Sequence, residues 1–181
     1  AVDALPDRVK KNQEAVAETI ENNVRKLIIN ESPVDPAYYD KMSKLLDALI
    51  AQRRKGVVSY KEYLKKIAAL TAQATQPGGG AGGYPADLTT PALRALYNNL
   101  GKSAELARAV NAAVKASAQA GWRGNAMKVK KVRLAIRHVL APAIPAGGGL
   151  AAKDSGTAAA PPDLEAETDR ILALVQNQND Y

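Results

Sequence analysis

The chain has no cysteine, no phenylalanine and one histidine, and these absences remove several kinds of chemistry before any motif is read. Without Cys, neither a disulfide nor a thiolate metal site can form. That usage suits a reducing compartment, and the cytoplasm is the expected location. His138 has no second imidazole to join it as a zinc pair or a proton relay. It follows Arg137 on a predicted helix, where a surface or partly packed role is the expectation. Long apolar runs are also missing: none approaches the roughly 20 residues a bilayer crossing needs. The opening AVDALPDRVK lacks the basic-then-apolar layout of a signal peptide. No membrane contact is expected. The first residue is not Met, so the chain is expected to be part of a longer parent or to follow a removed tag.

Large apolar side chains are scarce as well. Ala accounts for 35 of the 181 residues, and each buried Ala removes little apolar surface from water. Core volume must therefore come from Leu, Ile and Val, with Met42, Met127, Trp122 and seven Tyr. Ala favours helix and lets helices approach closely. Together these point to an all-α fold, a thin bundle of six to seven helices, either continuous or split into two small lobes.

Periodicity and caps locate the helices. Val9, Val16, Ile20, Val24, Leu27 and Ile28 mark one stripe over residues 6–29, ended by Ser32-Pro33. Asp35-Pro36 opens a second helix carrying Tyr39, Met42, Leu45, Leu46, Leu49 and Ile50, with Gly56 placed to cap its end. Ser59 and Glu62 form a capping box for a third, which is lined by Tyr63, Leu64, Ile67 and Leu70. Beyond the Pro77–Gly83 linker, Thr90-Pro91 starts a short helix closed by Gly101. Ser103 caps one running through Ala120, and Asn125 caps one ending at Leu140. A last helix spans 163–176. The predicted organisation is a helical lobe at 1–76, a Gly-rich linker at 77–83, a basic helical lobe at 84–140, a low-complexity linker at 141–162 and a C-terminal helix and tail at 163–181. No alternating strand pattern occurs.

The search for catalytic motifs is negative. Gly101-Lys102-Ser103 resembles the end of a phosphate-binding loop, but position 96 is Leu where the pattern needs Gly, and no strand precedes it. A helix-to-helix turn is the expected reading. Restriction-type nucleases place a carboxylate in an acidic-x-Lys tripeptide, and this chain has none. No catalytic, cofactor or metal residue is assigned.

Charge supplies the one positive constellation. Residues 77–140 hold 10 Lys and Arg against 2 Asp and Glu, while 141–181 hold 2 against 6. Arg123, Lys128, Lys130, Lys131, Arg133 and Arg137 occur with no acid between 121 and 140. Such a helix face can meet phosphates or an acidic protein surface, or simply be solvated. Trp122 either stacks on a base or packs inside, and packing is favoured because an Ala-rich core needs a large side chain. Asp163, Glu165, Glu167 and Asp169 suit a helix N-terminus, with pairing to the basic helix as the second reading.

ETIENNVRKLI at 18–28, YYDKMSKLLDALIAQRR at 38–54, YPADLTTPALRALYNNLG at 84–101, GWRGN at 121–125 and LALVQNQNDY at 172–181 resemble the C-terminal region of the restriction (motor) subunit of type I restriction-modification enzymes. The resemblance implies a parent that is an ATP-dependent type I site-specific deoxyribonuclease acting in restriction of foreign DNA. Its nuclease and translocase parts would lie outside these residues. This region would be non-catalytic and would dock the motor to the methyltransferase and specificity subunits, with a DNA-backbone contact as a further partner. The alternative is a stand-alone nucleic-acid-binding module using the helix at 126–140.

Overall fold

A computed structural model describes residues 7–76, 84–144 and 163–181. The described residues hold seven α-helices and no strand: α1 (Asp7–Glu31), α2 (Pro36–Arg54), α3 (Tyr60–Thr75), α4 (Pro91–Asn99), α5 (Ala104–Ser117), α6 (Ala126–Leu140) and α7 (Leu164–Gln176). A 3-10 turn, Trp122–Gly124, precedes α6. The fold is all-α. Among the described residues no helix is long and apolar enough to cross a membrane. Both Gly- and Ala-rich stretches, 77–83 and 145–162, lie outside the described residues.

The caps explain the boundaries. Ser59 Oγ accepts from Glu62 N at 3.2 Å, while the Glu62 carboxylate pairs with Lys66 at 3.2 Å. Thr90 and Ser103 accept in the same way from Leu93 N and Leu106 N. Asn125 Oδ1 takes both Met127 N and Lys128 N, satisfying donors that a helix start leaves without an internal partner. α1 runs to Glu31, two residues past the expected end at 29, and one other boundary departs further. α5 stops at Ser117 rather than Ala120. Gly121 then takes φ +67°, a left-handed turn that glycine adopts freely, and Trp122 enters the core.

The described residues divide into two compact units. The first comprises α1, α3 and α2 from Ala37 onward. Its core is Ala17, Val24, Ile28, Tyr39, Met42, Leu46, Leu49, Tyr63, Ile67, Leu70 and Ala74. Tyr38 and Tyr39 donate their hydroxyls to the Gln73 and Ala74 carbonyls near the end of α3, at 2.8 and 3.0 Å. The predicted stripe is displaced in two places: Val16 and Leu45 are exposed. The inner positions of α1 are taken by Ala17 and Glu21. Glu21 is 4% exposed; it accepts from the Tyr63 hydroxyl at 2.9 Å and from Arg53 Nε at 2.8 Å. A buried carboxylate persists only with such partners.

The second unit consists of α4–α7, the Trp122 turn and the short segment Val34–Pro36. α5 packs on α4 and α6, and α7 packs on α4 and α6. Leu96, Leu100, Val110, Val114, Trp122, Val132, Ile136, Leu140, Ile171 and Val175 fill the centre. Ile144 is also buried there, so packing extends four residues past Leu140 into the stretch read as linker. A polar seam crosses this unit. Asp35 accepts from Asn98 at 2.6 Å and from Asn99 at 2.8 Å. Asn99 Oδ1 accepts from Arg170, which also pairs with the buried Glu167.

Candidate functional site

The charged region picked out by sequence lies on α6 and the turn before it. It is built mostly by contacts within its own unit.

Trp122 is 3% exposed and belongs to the central core. Packing, not base stacking, is what its position provides. Among the described residues its buried indole Nε1 has no hydrogen-bond partner. A small cavity of about 180 Å³ adjoins it, lined by residues 118–123 and Tyr181. Arg123 lies with its guanidinium carbon 5.0 Å from the indole centroid. Its nitrogens donate to three carbonyls of the tail: Gln176 at 2.9 Å, Tyr181 at 2.6 Å, and Gln178.

The rest of the tail is held as closely. Gln178 Nε2 donates to the Val34 carbonyl at 2.6 Å. Asp180 Oδ2 accepts from Ala92 N at 3.0 Å, in the first turn of α4. The Tyr181 hydroxyl donates to Asn111 Oδ1 at 2.7 Å. Burial, followed by the Asp180 charge, raises the Tyr181 phenol above its ordinary 10.0.

The arginines of α6 face α7. Arg133 donates to Asp169 at 2.6 Å and to Glu165 at 2.7 Å, and Arg137 donates to Glu165 at 2.5 Å. Donating to Asp169 and then to Glu165 pushes the Arg133 guanidinium up. Hydrogen bonds from Arg137 and then Arg133 hold Glu165 below its ordinary 4.5. The acidic start of α7 therefore pairs with the basic helix. Asp163, at the N-cap itself, makes no side-chain cap bond. Lys128 Nζ donates to the Ala120 carbonyl at 2.8 Å. Lys130 and Lys131 are exposed and carry no ion pair among the described residues.

Of the seven residues singled out from sequence, five are thus engaged within the unit and two face outward. Met127 departs from its predicted core role: it is 77% exposed. It lies on α6 opposite Val132 and Ile136, and Leu134, at 44% exposure, shares its side. Four and seven residues separate Met127 from Lys131 and Leu134, so all three lie on one helical face. That spacing was readable from sequence by plotting α6 as a wheel. His138 extends the same face, with Nδ1 3.1 Å from the Leu134 carbonyl.

Two further features bear on chemistry. The Gly101-Lys102-Ser103 segment is a turn with φ +64° at Gly101 and +60° at Lys102, and Ser103 is spent capping α5. In the first unit, a groove of about 580 Å³ runs between α1 and α2. Its Arg25 and Asp47 already pair at 2.7 Å, and Glu21 is held by Arg53 and Tyr63. Among the described residues no group of three or more His, Cys, Asp or Glu could hold a metal ion. No family model, curated protein or solved structure matches the chain.

Proposed function

We propose that this chain is a non-catalytic assembly region of a type I restriction enzyme's motor subunit, which it docks to the methyltransferase–specificity core. Support begins with the five sequence blocks that resemble that subunit's C-terminal region. The observation that carries the reading is where the α6 cations point. Arg123, Arg133 and Arg137, the side chains best suited to gripping phosphates, are bound to tail carbonyls and to α7 carboxylates. What α6 turns outward instead is Met127 and Leu134 between two lysines. Mixed apolar and charged surface of this kind suits protein association.

The test is made in the intact parent. Deleting residues 12–140 should release the motor subunit from the methyltransferase–specificity complex on size exclusion, with ATP hydrolysis by the subunit retained. Full co-elution of the truncated subunit would overturn the docking reading. A stand-alone nucleic-acid module is the second reading, and it rests on Lys130 and Lys131 on a helix without acids.

A further inference from the structure

We propose that the outward face of α6, formed by Met127, Lys130, Lys131, Leu134 and His138, is the docking face itself, and that it receives an apolar protein surface rimmed by carboxylates. This deepens the docking reading and rests on it.

The argument starts from the helix pattern. α6 already has a complete inner face, Val132, Ile136 and Leu140, each fully buried. A helix in contact with water on its other side needs no apolar residue there. Yet Met127 and Leu134 stand at 77% and 44% exposure, one above the other across two turns. Methionine is flexible and polarisable, which suits it to a surface that must pack against another protein.

Charge then selects the occupant. The two lysines beside the apolar pair have no acid near them on α6, whose sequence from 126 to 140 contains none. A partner of matching pattern therefore presents carboxylates around an apolar centre. A second copy of the chain would set Lys130 and Lys131 against like charges in a two-fold contact, which opposes it. Nucleic acid would satisfy the lysines but leave Met127 and Leu134 against phosphate and sugar.

The two methionines supply the probe. Met42 is 2% exposed in the first unit's core and serves as an internal control for Met127. The 181-residue chain, labelled with methyl-13C methionine, is titrated with the purified methyltransferase–specificity complex. The Met127 signal should broaden or shift while Met42 keeps its position. Met127→Ser with Leu134→Ser, and separately Lys130→Glu with Lys131→Glu, should each weaken binding at least tenfold. These residues are exposed, and an unchanged circular dichroism melt confirms that each variant is folded. If the unaltered chain does not bind the complex, the docking reading falls and this proposal falls with it. If it binds and both double variants bind as tightly, docking stands and this face is the wrong one. A Met127 shift produced by duplex DNA alone, or by self-association in the free chain, also overturns the proposal.

Discussion

Arg123 Nη1 donates to the carbonyl oxygen of Tyr181 at 2.6 Å, across 58 residues of sequence. With its bonds to Gln176 and Gln178, this one guanidinium ties the tail back to the turn before α6. Arg123→Ala should cost the second unit roughly 2–3 kcal/mol, the order expected for several charge-assisted bonds that are partly open to water. Arg123→Lys should recover less than half, because an ammonium cannot reproduce the planar fork. The measurement is urea unfolding followed by tryptophan fluorescence, which reports this unit alone because Trp122 is the only Trp. A lysine variant as stable as the parent would refute the clamp geometry.

Trp122 should emit at short wavelength and resist quenching by iodide, since its ring is 3% exposed. Trp122→Ala should destabilise by roughly 3–5 kcal/mol through cavity formation. Trp122→Phe should cost far less, about 1 kcal/mol or below, because Nε1 has no partner among the described residues to lose. A large loss in the Phe variant would show that the indole nitrogen has a partner after all.

In the first unit, Glu21→Ala leaves Arg53, whose side chain is 12% exposed, with only the more distant Glu14 carboxylate at 4.0 Å, and should cost roughly 3 kcal/mol. Replacing both Glu21 and Arg53 with Met should recover most of that loss. A double-mutant cycle that also includes Tyr63→Phe would apportion the network. Additive losses would mean that the three residues do not act together.

Acid should loosen the α6–α7 contact. Glu165 is held below its ordinary 4.5 by Arg137 and Arg133, so its contribution is present above that value. It is lost as pH falls through the lower folded-state value. Carboxyl 13C titration should place the Glu165 midpoint below that of a free glutamate. Glu165→Gln should remove the corresponding part of the acid sensitivity. A midpoint at 4.5 or above would contradict the pairing.

If α6 does meet DNA, only Lys130 and Lys131 are positioned to do so. The slope of log binding constant against log salt should then lie near about −2 rather than the about −5 of a six-cation face. Fluorescence anisotropy with a labelled duplex at several salt concentrations measures it. A slope near the larger value would mean that the arginines leave α7 to bind phosphate.

The helices were readable in the sequence because their signals are local. Ser59, Thr90, Ser103 and Asn125 announce the starts they cap, and Gly56, Gly101 and Gly121 take the left-handed turns. Partnership was not readable, since it depends on residues brought together from far along the chain. Nothing near Arg123 indicates that its acceptors are carbonyls of the tail, and nothing near Asp35 indicates Asn98 and Asn99. The same holds for Glu21, an ordinary surface residue by type, drawn inward by an arginine and a tyrosine on other helices. Met127 was misplaced for a different reason: residue type was weighed ahead of its angular position on α6.

Because α7 is fastened to α6 by Arg133 and Arg137 and to the core by Ile171 and Val175, its place does not depend on the length of chain leading to it. For a flexible connection, closing entropy grows only with the logarithm of length, about 0.6 kcal/mol for each doubling. Versions of this chain lengthened or shortened between Ile144 and Asp163 should therefore keep the α6–α7 ion pairs and the buried Ile171 and Val175.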